Sequence, residues 1–355
     1  MIKMGKMLGI MTHRITEPKR FGPFFHVAAE EGFAGVIVFT PHDADLRKET
    51  IAGWICEKGR WMRKHVPFPL ISYDVGYYRK PKTIQKVKAL KSQEKMPFLG
   101  YGLGSKWSIH KALFSIPALQ PHLPETVRYR EKADVLDMLK KHKMVMLKPI
   151  NGLGGKGIYR LSSGGEGYLL EGGGEPMRHC TRRTIGKALN AICRKGKYIV
   201  QQWLDIRSQE GRVYDIRSLM QKDRQGEWQL MGFCVREGGA GKFTSNLSGG
   251  GSARQVFPYL EKNFGPERAE AIEQKLREIS GRICAGLEEV KCKRLVELGL
   301  DLGVDQNGHI WIIEVNIKPG KTQGRDIYQL KTAEDRVRLP IQFASGLIGV
   351  HQLLQ

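Results

Sequence analysis

The chain has 355 residues, 41% of them hydrophobic and 26% charged, and its 58 Lys and Arg against 36 Asp and Glu give a net charge of +22. These values predict a globular protein of about two domains, with neither intrinsic disorder, nor a membrane-spanning helix, nor a signal peptide. The basic balance, with clusters at 80–95 and 178–197, fits an acidic substrate or surface, a nucleic acid, or no specific partner.

The first hundred residues alternate between strand-like and helix-like segments, which is typical of an α/β domain. Apolar runs at 8–14 and 35–40 predict two strands, and the amphipathic segment 21–33 between them predicts a crossover helix. A third strand is predicted at 68–78, and a basic helix follows it. We therefore expect residues 1–100 to form a small N-terminal α/β domain.

The rest of the chain, 101–355, continues with further helices and strands. Helices are predicted at 106–120, 131–142, 184–196, 267–290 and 336–355, and strands at 144–149, 158–162, 197–206, 213–223 and 228–239. The glycine-rich segment 163–176 contains three consecutive large residues and predicts a protruding hairpin rather than a linker. We expect a first lobe at 101–195, a second lobe at 196–335 and a closing helix at 336–355.

The six cysteines are scattered along the chain, and no two of them form a CxxC pair. This spacing predicts neither a zinc site nor a disulfide framework, and it indicates a reducing compartment. Together with the absence of a targeting signal, it predicts synthesis in the cytoplasm and no membrane partner. No motif for DNA or RNA binding accompanies the basic clusters, so nucleic acid is the less favoured partner.

Two apolar runs near the C-terminus predict a hairpin that carries a carboxylate pair. Asn307-Gly308 is a strong signal for a two-residue turn. With that turn, Gln306 pairs with His309, and Asp301 then faces Glu314 on the opposite strand. Side chains alternate along strands, so these two carboxylates are predicted to lie together on one face.

Asn316 lies on the same face as Glu314, because the two are separated by one residue. Facing carboxylates repel each other unless a cation lies between them. A small set of hard oxygen ligands suits Mg²⁺, which keeps waters and completes its shell with substrate phosphates. Asp301, Glu314 and Asn316 are therefore predicted metal ligands; the alternative is a hairpin whose acids point to water.

Gly152–Gly157 matches the pattern GxGxxG, but the segment that follows it is a predicted strand. A dinucleotide site needs a helix at that point, so the glycines predict a hairpin tip instead. Such a tip can donate backbone N–H groups to a triphosphate, and Lys148 would place an ammonium group beside it. The candidates in the tip are Gly154, Gly155, Lys156 and Gly157. A flexible surface turn is the alternative.

These features occur in one order together with Asp215-Ile216-Arg217 and Asn246. Their order and spacing over about residues 100–330 resemble the ATP-grasp superfamily. The Lys106-Trp107 pair, the segment 122–126 and the basic character most resemble the YheC/YheD family, which is described as endospore-coat-associated. The resemblance implies an α/β (α+β) chain with an ATP-grasp fold and a small N-terminal pre-ATP-grasp domain.

The resemblance also implies roles for individual residues. Lys106 and Lys148 would contact the phosphates of ATP, and Arg217 and Arg236 would approach the γ-phosphate or an acylphosphate. Lys148, Arg217 and Arg236 are thus the catalytic candidates. The adenine slot would be formed by Gln201, Gln202, Trp203 and Leu204, with Asn246 as a further nucleotide contact. Asp301, Glu314 and Asn316 would hold one or two Mg²⁺ ions, or Mn²⁺.

Several of these residues have plainer interpretations. Arg217 could form a cross-strand ion pair, and Arg236 could be a solvated charge at a strand end. Trp203 could belong to the core, and Asn246 could serve turn chemistry. Lys111, about one turn beyond Lys106, could take its place at the phosphates. The family often carries a glutamate near the position of Gln202, so adenine selectivity is in doubt there.

The resemblance implies an ATP- and Mg²⁺-dependent carboxylate–amine ligase that works through an acylphosphate. The basic surface suggests an acidic or glutamate-rich acceptor, and the family name suggests a spore coat. The alternatives are a phosphotransferase on the same fold and a non-catalytic, ATP-binding protein of coat structure or assembly. The sequence leaves the substrates and the oligomeric state open.

Overall fold

Three β-sheets, each built from consecutive strands of the chain, form the framework of the protein. The structure is a computed structural model that describes residues 6–57, 59–152, 155–165, 167–194, 196–239, 245, 251–320 and 332–353. Over these residues, no helix is both long enough and apolar enough to cross a membrane. The six cysteines are all free thiols.

The first sheet has six strands in the order β3-β4-β2-β1-β6, with β5 paired to β4. The strands are β1 (Met7–Met11), β2 (Gly35–Phe39), β3 (Ala44–Asp45), β4 (Thr50–Glu57), β5 (Arg60–Pro67) and β6 (Ile71–Asp74), and its helices are α1 (Gly22–Glu30) and α2 (Pro81–Lys91). β2, β1 and β6 are parallel, as the predicted crossover helix α1 requires. Every residue of β1 and β2 is buried, which explains their continuous apolar sequence. The hairpin β4–β5 was not predicted, because charged residues interrupt the apolar pattern of β5.

The second sheet has six strands in the order β11-β10-β9-β8-β12-β7. They are β7 (Thr126–Arg128), β8 (Met144–Pro149), β9 (Tyr159–Gly164), β10 (Gly167–Gly172), β11 (Glu175–Cys180) and β12 (Tyr198–Gln202), and the helices of this region are α3 (Lys106–Phe114), α4 (Lys132–His142) and α5 (Ile185–Cys193). α4 and α5 cover the sheet with one core that includes Leu139, Leu147 and Leu189. β12 falls on the second-lobe side of the predicted boundary after residue 195, yet it pairs with β8 in this sheet.

The third sheet has five strands in the order β15-β14-β13-β16-β17. They are β13 (Tyr214–Lys222), β14 (Trp228–Glu237), β15 (Ser252–Arg254), β16 (Glu297–Val304) and β17 (Ile310–Asn316), and its helices are α6 (Val256–Phe264), α7 (Pro266–Lys291) and α8 (Asp335–Leu353). α7 buries Leu276, Ile283 and Leu287 at helical spacing in the core of this sheet. Burial of each side chain of this size contributes about 1.5–3 kcal/mol to the free energy of folding. The helical spacing of these apolar residues is also the sequence pattern from which the long helix was predicted.

The turn between β16 and β17 differs from the predicted one. The Asp305 amide donates to the His309 carbonyl at 3.0 Å, and the Gly308 amide donates to the Asp305 carbonyl at 2.9 Å. The loop therefore contains three residues, Gln306 to Gly308, and the predicted pairing of Gln306 with His309 is wrong. Gly308 has φ of +80°, which is the left-handed conformation that a three-residue hairpin loop needs.

A β-bulge further along the hairpin compensates for the extra loop residue. Leu302 pairs with Ile312, whereas Asp301 pairs with Glu314, so Ile313 has no partner opposite it. The loop takes one more residue than predicted, and the bulge adds one residue to β17. The two changes shift the strand register in opposite directions, so the pairing beyond the bulge is the predicted one. The predicted pairing of Asp301 with Glu314 is therefore confirmed, although the predicted turn is not.

The first and third sheets are joined by α8 and by a buried ion cluster. α8 packs against α1 and β13, and its Ile341 and Phe343 share a core with Leu8 of β1. In the ion cluster, the Asp74 carboxylate at the end of β6 pairs with Lys318, which lies two residues beyond β17. The C-terminal helix thus fastens the N-terminal sheet to the sheet that carries the carboxylate hairpin.

The ion cluster around Asp74 contains two lysines from different parts of the chain. Lys318 Nζ lies 2.7 Å from Asp74 Oδ1, and Lys91 Nζ lies 2.9 Å from Asp74 Oδ2. Each ammonium group also donates to a backbone carbonyl, Lys318 to Gly76 at 2.5 Å and Lys91 to Gly100 at 2.9 Å. Burial by itself would raise the pKa of Asp74, but the two ammonium groups outweigh it and lower that pKa below its usual range.

Candidate functional site

A cleft of about 920 Å³, its open mouth included, lies between the second and third sheets. The second sheet contributes Lys148 of β8 and Gln201 of β12 to its wall. The third sheet contributes Arg236 of β14 and Asp301 of β16, and α3 contributes its first residue, Lys106. The cleft thus brings together residues that are far apart in the sequence.

Most of the predicted site residues line this cleft. They are Lys106, Lys148, Gly155, Lys156, Gln201, Gln202, Trp203, Leu204, Arg236, Asp301 and Glu314. Arg217 and Asn316 contact Asp301 without lining the cleft themselves, and Gly157 lies beside the tip residues that line it. The predicted contacts Gly154 and Asn246 lie outside the described residues.

The glycine-rich segment joins β8 to β9, and these strands pair antiparallel, so the predicted hairpin tip is confirmed. Gly155 and Gly157 both have φ of +73°, a backbone conformation that side chains strongly disfavour. A Cβ at Gly157 would also lie 3.3 Å from the Tyr198 hydroxyl. The tip therefore needs glycine for its backbone path; phosphate binding by its N–H groups stays a prediction.

Lys148 is held by a chain of hydrogen bonds that crosses the second sheet. Its ammonium group donates to Gln201 Oε1 at 2.5 Å, and Gln201 Nε2 donates to the Thr126 hydroxyl at 2.9 Å. Burial, opposed by the Glu314 carboxylate and reinforced by the Lys106 ammonium group, lowers the pKa of Lys148 to about 8. The side chain of Gln201 therefore orients Lys148, and the predicted part of Gln201 in the adenine slot stays a prediction.

Lys106 begins α3 and reaches the carboxylate hairpin. Ser105 caps the helix by accepting from the Ser108 amide at 3.3 Å, which fixes the direction of the first turn. From there the Lys106 ammonium group bonds to Glu314 Oε1, and both side chains are partly buried. Lys111 is exposed and does not line the cleft, so the structure places Lys106 there.

The end of β12 forms a flat part of the wall. The Gln202 amide donates to the Glu125 carbonyl at 2.8 Å, and Gln202 Oε1 accepts from the Glu125 amide at 3.3 Å. The Trp203 ring lies 5.2 Å from the Arg160 guanidinium group, and Leu204 completes the surface. An aromatic and apolar surface beside strand backbone suits a flat ring; its contact with adenine stays a prediction.

Two arginines hold both oxygens of Asp301. Arg217, its neighbour on β13, bonds through Nε to Oδ1 and lies 3.2 Å from Oδ2 through Nη2. Arg236 Nη2 lies 2.9 Å from the same Oδ2. Burial alone would raise the pKa of Asp301, but the two guanidinium groups outweigh it and hold that pKa below its usual range. The cross-strand ion pair considered for Arg217 is therefore present.

Asp215 belongs to this network and was missed as a site residue. Its Oδ1 accepts from Arg236 Nε at 2.6 Å, its Oδ2 accepts from the Ser245 hydroxyl, and it lines the cleft. Burial raises the pKa of Asp215, and the nearby Asp301 carboxylate adds to this effect although Arg236 opposes it. The alternation in Asp215-Ile216-Arg217 placed the acid on the same strand face as Arg217, so the signal was in the sequence.

Three oxygen-bearing side chains on the hairpin fit a hard divalent cation. Asp301 and Glu314 are paired across β16 and β17, and Asn316 Nδ2 lies 3.4 Å from Asp301 Oδ2. In the described part of the chain, no group of three His, Cys, Asp or Glu side chains is placed to hold a metal ion, so a site on the hairpin would need the Asn316 oxygen as its third protein ligand. Two carboxylates and one amide match the few oxygen ligands of a Mg²⁺ site that is completed by waters and phosphates.

A model of the family described as "YheC/D like ATP-grasp" matches residues 95–347. The chain belongs to this family. The predicted family is thereby confirmed, and the cleft between the two sheets is the cleft of an ATP-grasp fold. In general terms, this fold implies ATP as the nucleotide together with a divalent metal ion.

Two curated relatives come from Bacillus subtilis (strain 168). The endospore coat-associated protein YheC is 29% identical over 294 residues, which cover 80% of this chain and 80% of YheC. The endospore coat-associated protein YheD is 27% identical over 295 residues, which cover 80% of this chain and 64% of YheD. The chain thus spans about two thirds of the length of YheD.

A solved structure shows the same fold at low sequence identity. D-alanyl-alanine synthetase A from Vibrio cholerae O1 biovar eltor str. N16961 superimposes with a TM-score of 0.56 at 11% identity, covering 97% of this chain and 99% of that chain. The predicted ATP-grasp fold with mixed helices and sheets is therefore confirmed.

Proposed function

We propose that the protein is an ATP- and Mg²⁺-dependent ligase that joins a carboxylate to an amine through an acylphosphate. The observation that carries the proposal is the charge of the cleft wall. Lys106, Lys148, Lys156 and Arg236 line the cleft against the carboxylates Asp215, Asp301 and Glu314. Because Arg217 also pairs with Asp301, the charged groups at the wall have a positive excess that suits a polyphosphate.

In this reaction an oxygen of the substrate carboxylate attacks the γ-phosphorus of ATP, and the bond from that phosphorus to the bridging oxygen breaks. ADP leaves with the bond's electron pair, and the acylphosphate remains in the cleft. An amine nitrogen then attacks the acyl carbon, phosphate leaves, and the nitrogen gives up a proton. The protein needs no covalent nucleophile for either step; it aligns the groups and stabilises charge.

The described residues supply these functions from opposite walls. Lys106 and Lys148 bind phosphate oxygens, and Gln201 keeps the Lys148 ammonium group in place. Arg236, which lines the cleft, would stabilise the acylphosphate oxygens. Asp301, Glu314 and Asn316 would hold one or two Mg²⁺ ions, which neutralise the charge of the β- and γ-phosphates when bound.

The division of the chain also stays a proposal. We propose an N-terminal domain at 1–100, an ATP-grasp domain from 101 onward with lobes at 101–195 and 196–335, and a C-terminal helix at 336–355. An acidic or glutamate-rich acceptor is proposed from the net charge of +22. The names of the two Bacillus relatives support an association with an endospore coat, which recovery of the protein in coat extracts of its host's spores would test.

The test is the release of ADP and phosphate from Mg-ATP in the presence of amino acids, glutamate oligomers and acidic peptides. We expect acceptor-stimulated release of both products by the wild type. The Glu314→Gln variant should lose it, because one predicted metal ligand and the partner of Lys106 are altered. Glu57→Gln is the matched control, since Glu57 also pairs with a lysine on a strand but lies in the first sheet.

Oxygen-18 in the substrate carboxylate identifies the chemistry. A ligase transfers one labelled oxygen to the released phosphate, because the acylphosphate is cleaved between carbon and oxygen. Release of ADP with the phosphate retained on the acceptor would instead establish a phosphotransferase. Binding of Mg-ATP without turnover on any acceptor would favour a non-catalytic role, and absence of ATP binding would overturn the proposal.

A further inference from the structure

Three lysines meet on the surface beside the start of α3, outside the cleft. Lys291 ends α7, and its ammonium group donates to the Ser108 carbonyl at 3.0 Å and to the Ser108 hydroxyl at 2.8 Å. Lys293 donates to the Gly102 carbonyl at 3.3 Å, and Lys111 lies one turn beyond Ser108 on α3. We call Lys111, Lys291 and Lys293 the lysine cluster.

No ion pair within the described part of the chain balances the charge of the lysine cluster. Among the described residues, no Asp or Glu forms an ion pair with any of the three lysines, and Glu288 in the last turn of α7 pairs with Lys222 instead. Burial lowers the pKa of Lys291, and the charges of Lys293 and Lys111 lower it further, which shows that the ammonium groups repel one another. An anion at this place would relieve the repulsion.

The two helix ends at the cluster carry opposite partial charges. The negative C-terminal end of α7 favours one cation, which accounts for Lys291 but not for its two neighbours. The first turn of α3 favours an anion, yet it contains no acidic residue. The start of α3 thus has positive charge from its own backbone and from the lysine cluster.

An aromatic stripe on the same helix adjoins the lysine cluster. Trp107, His110 and Phe114 stack in succession, with ring centroids 5.6 Å and 6.3 Å apart. Lys111 lies on the same face of α3, because it follows Trp107 by one helical turn. Phe114 is 55% exposed, so the stripe offers apolar surface beside the ammonium groups.

The stripe and the cluster lie next to the cleft. Lys106 lines the cleft from the first position of α3, and Phe114 is the last of that helix's nine residues. At 1.5 Å per residue, the distance from Lys106 to Phe114 along the helix is roughly 12 Å. An extended chain of a few residues bound along α3 would therefore reach the cleft.

We propose that the lysine cluster and the aromatic stripe of α3 form a docking subsite for an acidic polypeptide segment, a run of Glu or Asp side chains, whose reacting group enters the cleft. This inference rests on the proposed ligase function and names the class of its acceptor. The three cations are all lysines, which bind separate carboxylates as point charges. The reaction itself consumes a carboxylate, so an acidic chain provides both the anchor and the substrate.

A single-stranded nucleic acid fits this surface less well. Its bases bind by stacking on the free faces of aromatic rings. In the stripe, the central ring, His110, is already stacked with both Trp107 and Phe114. We therefore expect carboxylates, rather than phosphodiesters, at the subsite.

The test measures the binding of a fluorescein-labelled glutamate 15-mer by anisotropy at several salt concentrations. The double variant Lys111→Gln/Lys293→Gln keeps the bonds of Lys291 to Ser108, so α3 stays anchored. We expect about tenfold weaker binding than in the wild type and a weaker salt dependence. The control Lys80→Gln/Lys82→Gln removes the same charge from the exposed start of α2 and should bind like the wild type.

Three outcomes would overturn the inference: no binding by the wild type, equal loss in the α2 control, or tighter binding of a thymidine oligonucleotide of the same charge. Mg-ADP affinity, measured by calorimetry on the same proteins, is expected to be unchanged in both double variants. If Mg-ADP fails to bind even to the wild type, the proposed ligase function fails, whether or not the peptide binds. The two hypotheses are thus tested separately.

Discussion

The protein contains two buried aspartates that are each held by two cations, Asp74 at the junction of the first and third sheets and Asp301 in the cleft. Both carboxylates have a lowered pKa because their cations outweigh the effect of burial. They differ in what surrounds the cations. The lysines around Asp74 also bind backbone carbonyls, whereas Arg236 beside Asp301 is shared with a second carboxylate, Asp215.

The two clusters also differ in access. The Asp74 cluster borders a cavity of about 340 Å³, and the Asp301 cluster borders the cleft of about 920 Å³. A charged group that enters the cleft can take the place of one of the cations that now pair with Asp301 or Asp215. In the Asp74 cluster, every replacement breaks a contact between segments of the chain. The comparison indicates that burial and ion pairing alone do not identify a functional site. A functional site also needs access to the cleft, so that an entering charged group can exchange with one of the ion-pair partners.

The largest expected effect on stability is at the Asp74 cluster. Asp74→Asn removes the carboxylate that pairs with both Lys91 and Lys318 in the interior, so we expect a loss of about 3–5 kcal/mol in the free energy of unfolding. Urea denaturation measures it, with Glu49→Gln as the control, because Glu49 pairs with Lys95 on the surface and such pairs contribute about 0–1 kcal/mol.

The pH dependence of this effect follows from the direction of the pKa shift. Because the folded-state pKa of Asp74 is lowered, its contribution is complete above the unfolded-state pKa of about 3.9 and is lost as the pH falls through the folded value. The difference between wild type and Asp74→Asn should therefore narrow in acid. If Asp74→Asn lowered the free energy of unfolding at neutral pH no more than the surface control does, the ion pairs of Asp74 would not be what holds the first and third sheets together.

The next effect concerns the space beside the Asp301 cluster. A Cβ at Gly299 would lie 2.7 Å from Pro319 Cβ and 3.4 Å from Arg217 Cδ. Gly299→Ala should cost about 1–3 kcal/mol by overpacking and should weaken Mg-ADP binding by displacing Arg217. Gly281→Ala is the matched control, because its Cβ meets no atom within 4 Å on helix α7. Equal stability changes in the two variants would show that the space beside Arg217 is not tight.

The smallest expected effect is a pH dependence of nucleotide binding. With a pKa lowered by burial to about 8, Lys148 is charged below pH 8 and neutral above it. Above that pH, Mg-ADP affinity should fall by up to about tenfold per pH unit, and binding should take up a proton. Calorimetry in two buffers of different ionisation enthalpy measures the uptake. Lys148→Arg should abolish it, and an unchanged uptake in that variant would assign the proton to another group.

The carboxylate hairpin shows why a correct prediction can follow from incomplete geometry. Asn307-Gly308 predicted the turn and the facing pair Asp301 and Glu314, and the structure confirms the pair through a longer loop and the bulge at Ile313. A bulge depends on how the strand must bend against its neighbours in the sheet. No local sequence pattern contains that information, so the alternation of side chains alone could not predict it.

Other parts of the site were predictable to different degrees. Lys106, Lys148 and the glycine tip were found because strand, loop and lysine occur in a recognisable order. Asp215 was missed because its partner Arg236 lies on another strand, although their antiparallel pairing places them together. The bond from Lys148 to the Gln201 side chain depends on the pairing of β8 with β12, which joins segments separated by helix α5.

The first and third sheets are joined by α8 and by the ion cluster around Asp74, and these contacts determine which part of the molecule is free to move. Lys318 lies two residues beyond Asn316, and it holds the loop after β6 through Asp74 and Gly76. The second sheet has a hydrophobic core of its own with α4 and α5. We therefore expect the first and third sheets to behave as one rigid body, with the second sheet hinged against it. Nucleotide would enter by a rotation that carries Lys148 and the glycine tip away from a stationary carboxylate hairpin.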